Sequence, residues 1–585
     1  MRILYDSFKS AYKAPFGTLT AGQTCTLHID IPTSCLSQEV AVVVECDRTD
    51  EQQRFPLTLE WQKDGYDRFA GTLTLTQPDL YFYWFFIRTQ NEAFRLFRYG
   101  LHDTNIEDGA KWQLSCVPAE DAPDWAKGAV MYQIFPDRFC REGTCDLTGK
   151  LEPYTIHENE SEMPQWRPDE HGKVLNNDFF GGNLAGITAK LDYLQSLGVT
   201  VLYLNPIFKA FSSHRYDTCD YLTIDPMLGT EADFVNLCKQ AQRRKIHVVL
   251  DGVFSHTGSR SVYFDKDDVF GNGAYHHPDS PYRAWYQFRH YPHDYVCWWD
   301  FETLPCIDKT NESYGAFIET VVEKWLTLGA DGFRLDVADE LPDAFIARLR
   351  RKLRACKKDA LLIGEVWEDA SNKIAYSVRR RYFTDGELDG VMNYPWKNAI
   401  LAFLRGEDDG RALGDTLETL YENYPKAVLD CTMLPLSTHD SARVLTELVA
   451  PFEGTREQMA AHRLTEEQRA HGLRRLRLAA VLQYALPGMP SIYYGDEAGT
   501  EGCKDPFNRT FFPWGRADEA LTAFYRKLGA WRNGSKALRY GTMEVLRAEG
   551  GIVTVRRTYQ NETIEITVDA GRETCCLNGK PMEIE

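Results

Sequence analysis

The chain has 585 residues, of which 43% are hydrophobic and 26% are charged, as is common for a soluble globular protein. A chain of this length exceeds a single compact core, so we expect about two to four domains. Lys and Arg number 66 against 85 Asp and Glu, and the resulting net charge of −19 excludes nucleic acid as the expected partner because it repels phosphate backbones.

The expected compartment follows from the N-terminus and the cysteines. Met1–Asp6 lacks the basic stretch and apolar core of a secretory signal. No segment reaches the ~18 uninterrupted apolar residues of a membrane span. Fifteen cysteines without zinc-type Cys/His spacing indicate reduced thiols. We therefore expect a cytoplasmic protein with no membrane partner, either a monomer or a homodimer.

Residues 1–125 are predicted to form an N-terminal β-sandwich domain. Short segments of alternating polarity are separated by turn-prone pairs such as Asp64-Gly65, a spacing typical of sandwiches. The predicted strands are 24–31, 40–46, 57–62, 69–76 and 81–88.

From Gly128 onward the pattern changes to strands that alternate with helices. Apolar residues keep one-face helical spacing over 184–197, and Thr230 with Asp233 forms a capping-box pattern. Eight such units predict a closed (β/α)8 TIM barrel over residues 126–535. A doubly wound open sheet is the alternative, but no Gly-x-Gly-x-x-Gly follows the first strand. The predicted strands are 130–135, 201–205, 248–254, 332–337, 361–366, 390–393, 433–437 and 491–494.

Two further regions are predicted around the barrel. The connection after the third strand, residues 255–312, is long enough to be a functional inserted subdomain on the catalytic face. Residues 536–585 contain further short strands and are predicted to form a C-terminal β-sandwich domain. Together with the N-terminal domain, the insertion is expected to narrow the active site through its aromatic residues, which are Tyr263, Trp285, Tyr286, Tyr295, Trp298 and Trp299.

Four carboxylates stand at the ends of apolar runs that are predicted to be buried strands. They are Asp251, Asp336, Glu365 and Asp440. A β/α barrel keeps its catalytic groups at the C-terminal ends of its strands. Cleavage of a glycosidic bond needs two carboxyl groups with opposite tasks, so the pattern predicts a glycoside hydrolase.

The motifs around these acids resemble the α-amylase family, glycoside hydrolase family 13. The four matching segments are Asp251-Gly-Val-Phe-Ser-His256, Gly332-Phe-Arg-Leu-Asp336, Gly364-Glu-Val-Trp367 and Ser437-Thr-His-Asp440. The likeness extends over residues 128–515. Within the family the chain is most similar to the neopullulanase, cyclomaltodextrinase and maltogenic amylase branch. The segments that indicate this branch are 131–139, 178–182, 214–218 and 391–394.

The resemblance implies retaining hydrolysis of α-glucans, and physical chemistry assigns the roles. Arg334 lies two residues before Asp336 on the same strand, so the guanidinium is expected to lower the pKa of a nucleophilic Asp336. Glu365 is the predicted acid/base, because burial and the nearby like charge raise its pKa. Asp440 is the third catalytic acid. The predicted substrate-binding residues are Tyr216, Asp217, Asp251, His256, Arg334, Trp367 and His439.

Several features of the activity remain open at this stage. The resemblance implies cleavage of α-1,4 glucosidic bonds in maltodextrins, cyclodextrins, pullulan or starch. Ala338–Glu340 departs from the branch, which leaves α-1,6 cleavage open. The alternatives are an α-glucosidase or a 4-α-glucanotransferase of the same mechanism, and, in another class, a non-catalytic glycan-binding or transporter-associated barrel.

We predict that no cofactor is required. Residues 140–146 and Asn183 correspond to a calcium-binding segment of the branch, but they supply few acids and include Arg141. A calcium site is the alternative prediction, and no other metal ligands are expected.

Overall fold

The structure, a computed structural model, describes residues 2–119 and 122–583. Its centre is a ring of eight parallel strands whose neighbours follow the order of the chain. The first strand lies between the second and the eighth, and a parallel bridge from Met392 to Met433 joins the sixth to the seventh. The predicted (β/α)8 barrel is therefore confirmed. Barrel strands 1 to 8 are Met131–Ile134, Val201–Leu204, His247–Gly252, Gly332–Leu335, Leu361–Gly364, Gly390–Val391, Met433–Pro435 and Met489–Tyr493.

Strand register brings the charged strand ends to one level of the barrel. Asp251 of barrel strand 3 pairs with Arg334 of strand 4, and Arg334 pairs with Ile363 of strand 5. The paired residues are buried because parallel strands of a barrel are covered on both faces. Asp336 and Glu365, which directly follow strands 4 and 5, therefore lie at adjacent strand ends of the barrel.

The helices follow from local sequence signals in most places. Thr230 and Asp233 form the predicted capping box, and Gly329 ends the helix before barrel strand 4 with a φ of 125°. The helix predicted over 184–197 is instead two short helices, because the backbone leaves the α region at Lys190 (φ −101°, ψ 6°). The helices are Leu184–Ala189, Leu191–Ser196, Glu231–Arg243, Glu312–Leu328, Asp343–Cys356, Tyr394–Arg405, Gly410–Asn423, Lys426–Asp430, Val444–Glu447, Arg456–Ala461, Glu466–Ala485, Glu519–Gly534 and Lys536–Tyr540. No described helix has the length and apolar character that a bilayer crossing needs.

The N-terminal strands form a ten-stranded sheet that bends around one core. The strand Gln52–Lys63 belongs to both halves, because its first part pairs with Ser37–Cys46 and its second part with Tyr66–Thr74. The strands are Lys13–Ala14, Leu19–Thr20, Thr24–Pro32, Ser37–Cys46, Gln52–Lys63, Tyr66–Thr74, Asp79–Thr89, Ala93–Tyr99, Asp103–Ile106 and Trp112–Val117.

The chain divides into two compact units. One unit combines the chain up to Ala122 with Glu368–Asp389 and Gly414–Leu429, and the other contains the remaining residues. The segment after barrel strand 5 therefore belongs to the same unit as the N-terminal sheet.

The C-terminal residues form a five-stranded antiparallel sheet. Its strands are Thr542–Glu549, Ile552–Tyr559, Glu562–Asp569, Thr574–Leu577 and Lys580–Pro581. Short strand pairs also occur in the loops, at Thr155–Ile156 with Asp178–Phe179, Phe208–Ala210 with Thr218–Ile224, Phe288–His290 with Asp294–Tyr295, and Ile374–Ala375 with Val378–Arg379.

Candidate active site

One guanidinium contacts three buried carboxylates at the C-terminal end of the barrel. Arg334 Nη1 lies 2.8 Å from Asp251 Oδ1 and 2.9 Å from Asp336 Oδ1. Its Nη2 forms an ion pair with Glu365 Oε2 at 2.8 Å. All four side chains are buried. The two acids predicted to do the chemistry, Asp336 and Glu365, thus share one cation.

Burial is the main reason that the pKa of both acids is raised in this cluster. Burial raises the pKa of Asp336 well above its usual range, Glu365 and the other carboxylates raise it further, and Arg334 opposes them. The expected lowering of the Asp336 pKa by Arg334 is therefore outweighed by burial and by the neighbouring carboxylates. Burial also raises the pKa of Glu365, as expected, against the opposing effect of Arg334.

Glu365 is oriented by two further donors. The backbone N–H of Val337 donates to Oε2 at 2.8 Å, and the indole Nε1 of Trp367 donates to Oε1 at 3.2 Å. Val337 has a φ of 40°, a left-handed conformation that a β-branched residue rarely adopts. Such strain is common at functional sites and here aims a donor at the acid. Trp367 itself stacks on Tyr394 at a ring distance of 3.9 Å.

A chain of hydrogen bonds fixes Tyr216 and His439 beside Asp251. The Tyr216 hydroxyl donates to Asp251 Oδ2 at 2.8 Å and lies 2.5 Å from His439 Nε2. Gln133 Nε2 donates to His439 Nδ1 at 2.9 Å, so Nδ1 is the acceptor and Nε2 carries the proton. Burial lowers the pKa of His439 well below its usual value, which keeps the ring neutral.

Asp440 completes the cluster at its more open side. Its Oδ2 lies 3.1 Å from His439 Nε2, and its Oδ1 lies 3.4 Å from Arg509 Nη2. Arg509 also donates to the backbone carbonyl of His439 at 3.0 Å and 2.9 Å. The Asp440 side chain is 36% exposed, unlike the buried Asp336 and Glu365. It is therefore the acid of this group that solvent or a ligand reaches first.

In the described part of the chain, two predicted substrate-binding residues form hydrogen bonds near Tyr216 and none with the four acids. His256 Nε2 lies 3.1 Å from the Tyr216 carbonyl oxygen and its Nδ1 lies 2.8 Å from Ser255 Oγ. Burial lowers the pKa of His256 to about 4. Asp217 accepts hydrogen bonds from the backbone N–H groups of Phe211 and Ser212. Both side chains hold the loop that carries Tyr216.

Several residues of this network were not predicted from the sequence. Gln133 and Tyr203 lie on barrel strands 1 and 2, and the Tyr203 hydroxyl donates to Asp251 Oδ2 at 2.6 Å. Asn205 Nδ2 donates to the Tyr216 hydroxyl at 2.9 Å. Their signal was polarity at an inward barrel position. Arg509 follows strand 8 in a segment without a recognised motif, so no local signal indicated it.

The segment compared with a calcium site does not fit the ion. The Asn183 side chain is already engaged, because Oδ1 accepts from Gly186 N at 2.7 Å and Nδ2 donates to the Glu142 carbonyl oxygen at 2.9 Å. The Arg141 side chain packs on Gly181, where an added Cβ would lie 3.2 Å from Arg141 Cδ. An amide used as a clamp and a neighbouring guanidinium replace the anionic oxygens that calcium prefers.

The sequence was compared with models of known protein families. The model "Alpha amylase, catalytic domain" matches residues 133–529. The chain belongs to the α-amylase family. Its similarity extends to an amylopullulanase from Thermoanaerobacter thermohydrosulfuricus, with 35% identity over 95% of this chain but only 40% of that protein. A cyclomaltodextrinase from Geobacillus thermopakistaniensis is 32% identical over 79% of this chain and 72% of that protein.

Solved structures of this family share the architecture. The type III pullulan hydrolase from Thermococcus kodakarensis superposes with a TM-score of 0.68 and 25% identity, over 98% of this chain and 94% of that chain. The ligand-free cyclic α-maltosyl-(1→6)-maltose hydrolase from Arthrobacter globiformis gives a TM-score of 0.64 and 29% identity, over 77% of this chain and 92% of that chain. The similarity to the pullulan hydrolase therefore includes the N-terminal region of this chain.

Proposed function

We propose that this family member is a retaining glycoside hydrolase of α-1,4 glucosidic bonds in maltodextrins, cyclodextrins, pullulan or starch, with α-1,6 bonds as a second target to test. The observation that carries the proposal is the shared contact of Arg334 with Asp336 and Glu365. A pair of carboxyl groups at one barrel end is what double displacement needs. Relatives named amylopullulanase and cyclomaltodextrinase support the substrate class.

Asp336 and Glu365 differ in their surroundings in a way that suits different roles. Asp336 uses Oδ1 for Arg334, which leaves Oδ2 for attack on the anomeric carbon. Glu365 Oε1 accepts a hydrogen bond from Trp367, a residue that is 44% exposed, and we place the leaving sugar on this more open side. This asymmetry favours Asp336 as the nucleophile and Glu365 as the proton donor.

The reaction would proceed in two balanced steps. Asp336 forms a bond to the anomeric carbon while the glycosidic C–O bond breaks and Glu365 gives its proton to the leaving oxygen. Glu365, now a carboxylate, then takes a proton from water, whose oxygen displaces Asp336 from the anomeric carbon. Asp440, with its more exposed carboxylate, and the neutral His439 would accept from and donate to sugar hydroxyls.

The competing activities use the same first step. A 4-α-glucanotransferase would replace water by a sugar hydroxyl, and an α-glucosidase would accept chain ends alone. The non-catalytic alternative lacks support, since the chain retains all three acids in one connected cluster.

The test of the proposed function is the anomeric form of the first product. The purified chain is incubated with maltotriose, β-cyclodextrin, pullulan and soluble starch, and product anomers are followed by proton NMR before mutarotation. We expect the α-anomer first on the substrates that are cleaved. Early appearance of the β-anomer would rule out double displacement. A dominant series of longer oligosaccharides would indicate transfer.

We also propose that the enzyme works in the cytoplasm. All fifteen cysteines lie in the described part of the chain, and none forms a disulfide. Unpaired thiols in this number suit a reducing compartment. Localisation by fractionation in the native host is the direct test.

A further inference from the structure

The compact unit that contains the N-terminal sheet holds a group of side chains that can bind a metal ion. His102 lies in the turn just before the strand Asp103–Ile106. Asp415 and Glu418 lie on the helix Gly410–Asn423. One ring nitrogen of His102 and one carboxylate oxygen of each acid all lie within 4.8 Å of one another. The three residues belong to the same compact unit.

The helix presents both acids toward the histidine. Asp415 and Glu418 are three residues apart, so their side chains are neighbours on one face of the helix, and both residues are half-buried. Buried leucines fix the rotation of the helix, namely Leu413, Leu417 and Leu420. Glu418 Oε2 lies 3.2 Å from His102 Nε2. Two ligand atoms at about 2.0–2.1 Å from a tetrahedral zinc ion are about 3.3 Å apart, so this pair already has the spacing of two ligands.

The imidazole of His102 is held from its other side. Its Nδ1 lies 3.5 Å from both carboxylate oxygens of Asp6, which is buried. Asp6 is itself fixed, because its Oδ1 accepts a hydrogen bond from the backbone N–H of Phe8 at 3.1 Å. The Phe8 ring packs on the imidazole at a ring distance of 5.1 Å. Metal-binding histidines commonly donate the second ring N–H to a carboxylate in this way, which leaves Nε2 for the ion.

The fixed charges around the group leave its two helical acids without a lysine or arginine. Asp6 has a cation of its own, because Lys9 Nζ lies 3.2 Å from Asp6 Oδ2. Among the described residues, Glu418 has His102 as its ion-pair partner and the Asp415 carboxylate has none. Two neighbouring carboxylates repel each other, and a divalent cation between them removes this repulsion. The nitrogen ligand distinguishes the group from an ordinary acidic patch.

We propose that His102, Asp415 and Glu418 bind a divalent transition-metal ion, with zinc as the best match and water completing the coordination. An imidazole with two carboxylates suits zinc, whereas calcium and magnesium prefer oxygen ligands throughout. The ion would fasten the turn at His102 to the helical segment and stabilise this unit without taking part in catalysis. The sequence analysis expected no such ligands, because the histidine and the two acids are far apart in the chain.

Zinc binding is measured on the full chain after chelation and dialysis. A site with three protein ligands is weaker than a four-ligand zinc site, so we expect the ion to be lost on purification and chelation alone to change little. Calorimetric titration with zinc chloride should show one ion per chain with a Kd of about 1–10 μM. Zinc at about a hundredfold excess over Kd should raise the melting temperature by about 2–4 °C, whereas calcium and magnesium should not.

Replacement of Asp415 by Asn separates a metal-binding role from a structural one. The substitution removes a carboxylate that repels Glu418, so the melting temperature without zinc should stay the same or rise. It also removes a ligand, so the affinity for zinc should fall at least about tenfold and the zinc-induced rise in melting temperature should disappear. His102→Ala should also abolish the response to zinc, and it should lower the melting temperature without zinc because it removes the contacts with Asp6 and Glu418.

The matched control is His277→Ala, which removes a histidine that lies 3.2 Å from Asp268 in a more exposed ion pair. This variant should bind zinc as the wild-type chain does. Zinc binding that survives both Asp415→Asn and His102→Ala would place the ion elsewhere and overturn the site. No zinc binding by the wild-type chain, or equally tight binding of calcium, would also overturn it. These measurements use no glucan, so their outcome is independent of the proposed function.

Discussion

Arg334 is the residue on which the electrostatics of the site depend. It contacts Asp251, Asp336 and Glu365, so one positive charge faces three potential negative charges in a buried site. The buried cluster is therefore more stable when at least one of the acids is protonated. A site that favours one protonated and one ionised acid is suited to acid/base catalysis, in which the two carboxyl groups have opposite tasks.

Neutral substitutions of the two reacting acids should abolish activity without unfolding the protein. We expect Asp336→Asn and Glu365→Gln each to lower kcat by about a thousandfold or more, because each removes a group that forms or breaks a bond. Since each also removes one like charge, the melting temperature should stay the same or rise. Steady-state kinetics and thermal unfolding measure both.

The matched control is Glu368→Gln, which neutralises an exposed acid shortly after Glu365 in the chain. It should keep nearly full activity. An active Glu365→Gln enzyme, or inactive variants that are also unfolded, would contradict the assignment.

Activity should depend on pH in a bell-shaped manner, centred on mildly acidic to neutral conditions. Asp336 must be ionised, so its raised pKa moves the acid limb to higher pH. Glu365 must be protonated, so its raised pKa moves the alkaline limb to higher pH as well. Because the two acids interact, the two apparent values belong to the pair. A kcat/KM profile measures them, and activity that keeps rising well above neutral pH would contradict these roles.

At the scale of elements, the barrel could be predicted because its strands are apolar runs that end at motif residues. The short break at Lys190 could not, since the surrounding apolar spacing is that of one helix. Ion pairs between residues far apart in the sequence were equally impossible to predict. Lys13 is buried and forms an ion pair at 3.0 Å with Glu422, a residue that no local pattern connects with it. The catalytic motifs were visible as strand ends, whereas Arg509 reached the site through tertiary packing alone.

The segment after barrel strand 5 is expected to depend on the N-terminal sheet. Arg381 pairs with Asp47 at 3.0 Å and with Asp79 at 2.5 Å, and Arg379 pairs with Asp47 at 3.2 Å. These pairs are partly buried. The double variant Asp47→Asn/Asp79→Asn should lower stability by about 1–2 kcal/mol. The segment begins at Glu368, directly after Trp367, whose indole N–H donates to Glu365. A less stable segment should therefore also lower kcat.

The control for this variant is Glu107→Gln, which breaks an exposed ion pair with Arg95 in the same sheet. It should change neither stability nor kcat measurably. Denaturant unfolding and kinetics on maltotriose provide the comparison. If both variants behave alike, the ion pairs of Asp47 and Asp79 do not brace the segment.

Calcium removal is expected to have little effect. The loop around residues 140–146 is fastened by the Asn183 amide, which bonds Glu142 at both its N–H and its carbonyl oxygen. Prolonged chelation followed by assay and thermal unfolding should leave activity and melting temperature unchanged. A large loss that added calcium restores would show that other residues of the chain bind the ion. Asn183→Ala should instead lower the melting temperature whether or not calcium is present, since it removes the clamp itself.

At the scale of the whole molecule, the insertion is the feature expected to set substrate size. Several of its aromatic residues, among them Phe264, Tyr286 and Tyr295, are buried and pack on one another. Because the insertion follows barrel strand 3 at the end of the barrel that carries the acids, we expect it to narrow the approach to the reacting bond. Short or cyclic maltodextrins should then be better substrates than starch, whose long chains lose more freedom on entry.

This preference is tested by kcat/KM on maltotriose, maltohexaose, β-cyclodextrin and soluble starch under one set of conditions. We expect kcat/KM, expressed per substrate molecule, to be higher for the oligosaccharides and the cyclodextrin than for starch. A wild-type enzyme that prefers starch would show that the insertion leaves the site open to long chains.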